Sequence, residues 1–136
     1  MIEFPQRWRI YAFIDSRGIS VVEEWAQDIK RDKDLLARLN QKLDLLERHG
    51  SELPTGLLAG TKFKHVDKLK VFGRKTTWRF MVCKGPISKE FEFTLLYVAQ
   101  EKDRKLIPLD AYKRADDNRQ EIINNPARRK IHERIS

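Results

Sequence analysis

Lys62-Phe63-Lys64-His65-Val66-Asp67-Lys68-Leu69-Lys70-Val71-Phe72-Gly73-Arg74-Lys75-Thr76-Thr77-Trp78-Arg79-Phe80-Met81-Val82-Cys83 decides the fold of this chain. Two runs of alternating residues flank Gly73-Arg74-Lys75, which is the pattern of a β-hairpin. The first strand is expected over Val66–Phe72, with Leu69 and Val71 on one face and Lys68 and Lys70 on the other. The second is expected over Thr76–Cys83. Trp78, Phe80 and Val82 share one face, while Thr77, Arg79, Met81 and Cys83 share the other. Lys62, Lys64, Arg74 and Lys75 add to the cations of the hairpin, and Asp67 is the only acid between Lys62 and Arg79. Two readings of the lysine face stay open. It is a solvated sheet face, or it is a surface for a polyanion such as nucleic acid.

Upstream, Arg7 to Ile14 reads as a strand, with Trp8, Ile10, Ala12 and Ile14 on one face. Asp15-Ser16-Arg17-Gly18 is a turn, and Ser20 with Glu23 forms a capping box. Val22, Trp25, Ile29, Leu36, Leu39, Leu43 and Leu46 follow at helical spacing, and Gly50 is the stop. The polar run Lys30-Arg31-Asp32-Lys33-Asp34 interrupts this pattern. One long helix or a helical pair broken near Asp32 would fit, and the pair suits a compact domain better. Ser51 to Gly60 reads as a loop.

Downstream, Lys84 to Ser88 turns the chain, and Glu90 to Ala99 reads as a central strand, apolar on both faces in its middle. Phe91, Phe93, Leu95 and Tyr97 are placed on one face of it. Gln100 to Ile107 reads as a charged loop and Leu109 to Asn124 as a helix stopped by Asn125-Pro126. The order predicts an α+β domain over residues 1–124. It has a small, mostly antiparallel sheet, an N-terminal helical pair and a C-terminal helix, all packed on one side. Residues 125–136 form a basic C-terminal tail, of which Ala127 to Ser136 could be a short helix.

The 136 residues suit one domain, and a net charge of +8 favours anionic partners. No apolar run is long enough to span a membrane, and Met1-Ile2-Glu3-Phe4-Pro5 lacks the features of a signal peptide, so a cytoplasmic protein is expected. Cys83 is the only cysteine, which excludes an internal disulfide and reads as a core filler. His49, His65 and His132 lack the spacing of metal ligands, and no phosphate-binding glycine loop or hydrolase motif is present, so no metal or other cofactor is expected.

The remaining chemistry belongs to cations and a phenol. RNA is cleaved when its own 2′-hydroxyl attacks the adjacent phosphate. A protein need only position the strand, move two protons and neutralise the phosphate. Arg79 could clamp that phosphate with two parallel donors. Like charges on Lys68, Arg74 and Lys75 would favour a neutral Lys70 amine, fit to act as a base. Tyr112 could position the nucleophile or stack on a base. Each has a plain structural alternative: an ion pair of Arg79 with Glu92, a solvated Lys70, and a Tyr112 ring capping the core.

Several short motifs resemble the RelE/HigB toxin superfamily, in particular its phage-derived HigB-like branch. They are Trp8-Arg9-Ile10 with Asp15-Ser16-Arg17-Gly18 and Val21-Val22-Glu23-Glu24-Trp25, a Leu46–Leu53 hinge around Gly50, and Trp78-Arg79-Phe80. Tyr97 to Pro108, then Ala115 and Arg119, continue the likeness, which covers about residues 7–123. The resemblance implies a ribosome-dependent, metal-free mRNA endonuclease restrained by a cognate antitoxin, as a homodimer or a toxin–antitoxin hetero-oligomer. It implies Arg79 as catalytic arginine, Lys70 as catalytic lysine and Tyr112 as catalytic tyrosine; independently of the resemblance, Arg74 of the hairpin is a further catalytic candidate. Lys62, Lys64, Lys68, Lys75, Lys102, Arg104 and Lys105 would bind RNA. A second family lysine falls on Phe72, and the family's downstream basic pair is replaced by Lys102-Asp103-Arg104-Lys105.

Overall fold

The computed structural model describes residues 7–50, 57–88 and 90–136. The readings of residues 1–5, and of the loop and hinge between 51 and 56, lie outside the described residues. In chain order the elements are β1 (Arg9–Phe13), α1 (Val21–Asp28), α2 (Lys33–His49), β2 (Leu58–Gly60), β3 (Asp67–Phe72), β4 (Thr77–Lys84), β5 (Glu92–Lys102), β6 (Lys105–Ile107), α3 (Ala111–Asn124), a 3-10 turn (Pro126–Arg128) and β7 (Arg129–Ile131). The strands neighbour one another in the order β2-β3-β4-β5-β1-β7, and β6 also pairs with β5. Among the described strands only β1 and β5 run parallel; the other pairs are antiparallel. The class is α+β with a mostly antiparallel sheet. Among the described residues no helix is long and apolar enough to cross a membrane.

The hairpin forms with the expected faces. Leu69 and Val71 stand opposite Phe80 and Trp78, and Lys68 and Lys70 stand opposite Met81 and Arg79. Both faces of β4 are apolar in the middle, so both need cover. On one side Leu69, Val71, Phe80 and Val82 join Trp25, Leu36, Leu39, Leu43 and Leu46 of α1 and α2. On the other, Met81 and Cys83 join Ala111, Ala115 and Ile122 of α3. The helices therefore lie on both sides of the sheet, not on one. Trp25 packs edge-on against Phe80 and Trp78, with centroids 4.9 and 5.9 Å away. Such pairs are each worth roughly 0.5–1.5 kcal/mol beyond the area they bury.

The helical break falls at Asp32. Its carboxylate accepts from Asp34 N at 3.0 Å and Leu35 N at 3.3 Å, which caps α2. Lys30 and Arg31 make the connection with φ of 54° and 53°. Gly50 ends α2 at φ 55°, where a Cβ would stand 1.9 Å from Trp8 Nε1. That close approach lets Trp8 N donate to Glu47 O at 2.8 Å and ties β1 to α2.

Four local expectations are corrected. Leu58–Gly60 is a strand on β3 and not part of a loop. In β5 the register slips so that Met81 faces Tyr97 and Val82 faces Leu95, which leaves Leu96 as a bulge. Tyr97 is thereby turned to the α3 side, away from Phe93 and Leu95. The charged loop is a hairpin: β5 runs to Lys102, and Asp103 and Arg104 at φ 52° and 66° reverse the chain into β6. The basic tail is not a short helix. After the 3-10 turn, β7 pairs antiparallel with β1, and His132 N donates to Ile10 O at 2.9 Å.

Candidate functional site

Four segments on the α3 side of the sheet converge on one cleft of about 590 Å³. β3 and β4 contribute Lys68 and Arg79, and the β5–β6 hairpin contributes Glu101, Arg104, Lys105 and Leu106. The segment after β2 brings Lys62, and the start of α3 brings Leu109 and Tyr112. Ala111 and Ala115 are fully buried, one turn apart, so α3 rides close to the sheet and sets Tyr112 over it.

Arg79 is only 8% exposed, on the face opposite Trp78 and Phe80. Its Nε donates to Glu101 Oε2, and the two form an ion pair. Among the described residues its two Nη groups have no other hydrogen-bond partner, so they are open to a ligand in the cleft. The hydrogen bond from Arg79 holds the Glu101 carboxyl below the usual range; burial opposes this, and the charges of Arg79, Lys70 and Lys68 support it. Glu101 thus stays ionised. Burial pushes the Tyr112 phenol above its ordinary value, against the charge of Arg79 and with that of Glu101. Tyr112 keeps its proton at neutral pH and offers a hydroxyl donor beside a guanidinium.

Of the residues singled out from the sequence, Arg79, Tyr112, Lys62, Lys68, Arg104 and Lys105 meet in this cleft. Lys70 is exposed on β3 directly opposite Arg79, with its ammonium 5.8 Å from the Phe72 ring centroid. Arg74 stands apart, in the hairpin turn, with its guanidinium 3.8 Å from Asp34 of α2. Lys75 is exposed in the same turn. Lys102 lines a neighbouring hollow with Lys105, Leu106, Ile107 and Leu109. Lys64 lines a different pocket.

Glu92 is not the partner of Arg79. It accepts from Arg129 Nη1 at 2.5 Å, and that guanidinium lies 3.8 Å from the Tyr11 ring centroid. Glu101 is the residue that reading the sequence missed. Extending the alternation of β5 past Ala99, which faces Arg79, puts Glu101 on the same face. Cys83 is 1% exposed, and burial pushes its thiol up to about 12, as suits a core residue. Among the described residues no three His, Cys, Asp or Glu come together to hold a metal ion. No protein-family model, no curated protein and no solved structure matches this chain.

Proposed function

We propose that the chain is a toxin of the RelE/HigB type, a metal-independent endonuclease that cuts mRNA on the ribosome and is restrained by a cognate antitoxin. The observation that carries this reading is the convergence of Arg79, Tyr112, Lys62, Lys68, Arg104 and Lys105 from four segments on one cleft. The lysines and Arg104 hold phosphates of the strand. Arg79, oriented by Glu101, offers its Nη donors to the phosphate whose charge rises in the transition state. Tyr112 donates from its phenol to the phosphate or to the leaving 5′-oxygen. Lys70, the base that the resemblance implies, stands across the ladder from Arg79. The 2′-hydroxyl proton passes to the base, the 2′-oxygen bonds to phosphorus, and the 5′-oxygen leaves with a proton.

Incubation with translating ribosomes tests this, with magnesium kept only as the ribosome requires. The products should carry 2′,3′-cyclic phosphate or 3′-phosphate ends. A 3′-hydroxyl product would exclude attack by the 2′-hydroxyl. A second reading, a non-catalytic RNA- or protein-binding member of the same fold, is favoured by the engagement of Arg79 with Glu101. Growth arrest on induced expression separates the two, since a binder without nuclease activity leaves growth unchanged.

A further inference from the structure

A second basic pocket of about 370 Å³ lies at the end of the sheet where β3 begins and β4 ends. Lys64, His65, Asp67, Lys84, Pro86 and Arg119 line it. Arg119 follows Ala115 by one helical turn, so it lies on the sheet-facing side of α3. Its Nε is buried and has no hydrogen-bond partner among the described residues. A guanidinium donor left without an acceptor costs on the order of 1–3 kcal/mol unless water or a ligand supplies one. Lys84 lies close enough to Asp67 to offset the one carboxylate in the wall. Lys64 and Arg119 are then surplus positive charge, and the pocket suits an anion.

The segment between β2 and β3 ties this pocket to the Arg79 cleft. Thr61 Oγ1 accepts from Phe63 N at 3.1 Å and donates to Val66 O at 2.8 Å. Phe63 and Val66 pack into the α3-side core. With both anchored, Lys62 is directed to the cleft and Lys64 to the second pocket. Two residues of chain span at most about 7 Å, so the backbone positions that carry the two lysines lie close together.

We propose that Lys64 and Arg119 form a second phosphate subsite, which holds the backbone of an RNA strand where it leaves the Arg79 cleft. The subsite deepens the nuclease reading and rests on it for the identity of the ligand. It makes affinity depend on RNA length, because only a strand longer than the cleft reaches it.

The 136-residue chain titrated with a labelled RNA tetranucleotide and a labelled RNA dodecanucleotide tests this. Lys64→Ala and Arg119→Gln should each lower the ratio of long-RNA to short-RNA affinity about tenfold, the scale of one charge-assisted contact. Each should also reduce the salt slope of long-RNA binding by about 0.7. Lys68→Ala, in the cleft, should weaken both RNAs together. If Arg119→Gln fails to fold, Lys64→Ala decides the matter alone. Wild-type length dependence in the folded variants, or no RNA binding by the parent protein, overturns the subsite. So does tight binding of inorganic phosphate that the substitutions abolish while RNA binding is unchanged, which would mark a free-anion site. If the protein cuts no RNA but the length dependence responds as stated, the subsite stands and the nuclease reading falls. If cleavage persists while the length dependence ignores every substitution, the reverse holds.

Discussion

Arg79 with Glu101 and Arg129 with Glu92 are two ion pairs on the α3 side of the sheet. The guanidinium is about equally covered in each, with side-chain exposures of 10% for Arg79 and 9% for Arg129. The carboxylates differ: Glu101 is 21% exposed and Glu92 10%. Surroundings differ more. Arg129 stacks on Tyr11 and sits on β7, which closes one end of the sheet. Arg79 opens onto a cleft with Lys68, Arg104 and Tyr112. The same chemistry thus serves two ends. A sealed pair is fixed by its neighbours and joins the C-terminal strand to the sheet. An open pair keeps donors for something else, at little cost in stability because water already reaches its acid.

The largest effect expected separates the two by stability. Arg129→Ala strands Glu92 with almost no access to water. Breaking such a pair costs about 3–5 kcal/mol. Thermal melting should show a loss of about 10 °C or more. Arg79→Ala should cost under about 2 kcal/mol, since Glu101 can rehydrate. Equal losses for the two variants would erase the distinction.

The next effect depends on pH between about 4 and 6.5 and belongs to the sealed end. His132 follows β7 and is 7% exposed, and burial with the charges of Arg134 and Lys130 lowers its pKa to about 4, against a smaller opposing pull from Glu23. Unfolded, the imidazole takes its proton near 6.5; folded, it resists until about 4. Between those values the unfolded chain binds more protons, so stability falls as pH falls, by at most about 1.4 kcal/mol per unit. His132→Gln should flatten the stability profile in that window. An unchanged profile would mean that His132 does not weaken the β7 end in acid.

The third effect tests the proposed nuclease. Lysine keeps the charge of Arg79 but cannot present a fork of parallel donors. Arg79→Lys should retain the fold and most of the RNA affinity, yet cut about 100-fold more slowly, the scale of one lost transition-state donor. Circular dichroism and primer extension on a reporter mRNA measure the two halves. Normal cutting would move the phosphate clamp to Arg104 or its neighbours in the cleft.

Alternation located the β3–β4 hairpin and put Arg79 opposite Trp78 and Phe80, because a period of two survives wherever one face is buried. Asp32 was legible as a break, since a polar run with a capping acid interrupts a leucine pattern. The partner of Arg79 was not. Glu92 and Glu101 both lie on β5 at positions that face α3, and only the bulge at Leu96 and the extension of β5 to Lys102 decide between them. Neither has a local signal: Asp103-Arg104 makes a tight turn without glycine or asparagine. β7 was hidden because three residues are too few to show a period, and its strand identity comes from pairing with β1.

The smallest effect expected tests whether Glu101 is placed for orientation and not for stability. Its carboxylate stands in a cleft proposed to hold phosphates, so it repels the ligand that the lysines attract. At the dielectric of a solvent-open site one such charge is worth about 1 kcal/mol. Glu101→Gln keeps a hydrogen-bond acceptor for Arg79 Nε and removes the charge. RNA affinity should therefore rise a few-fold, with stability changed by less than about 1 kcal/mol. Cleavage at saturating RNA should fall, because a neutral amide holds the guanidinium less firmly than a carboxylate does. Tighter binding with slower cutting is the signature of an orienting acid. The matched substitution Glu92→Gln should leave RNA binding unmoved and lower the melting temperature instead. If Glu101→Gln melts as Glu92→Gln does and binds RNA no better, the open pair is structural too. The cleft would then read as a binding surface whose central arginine is already spent.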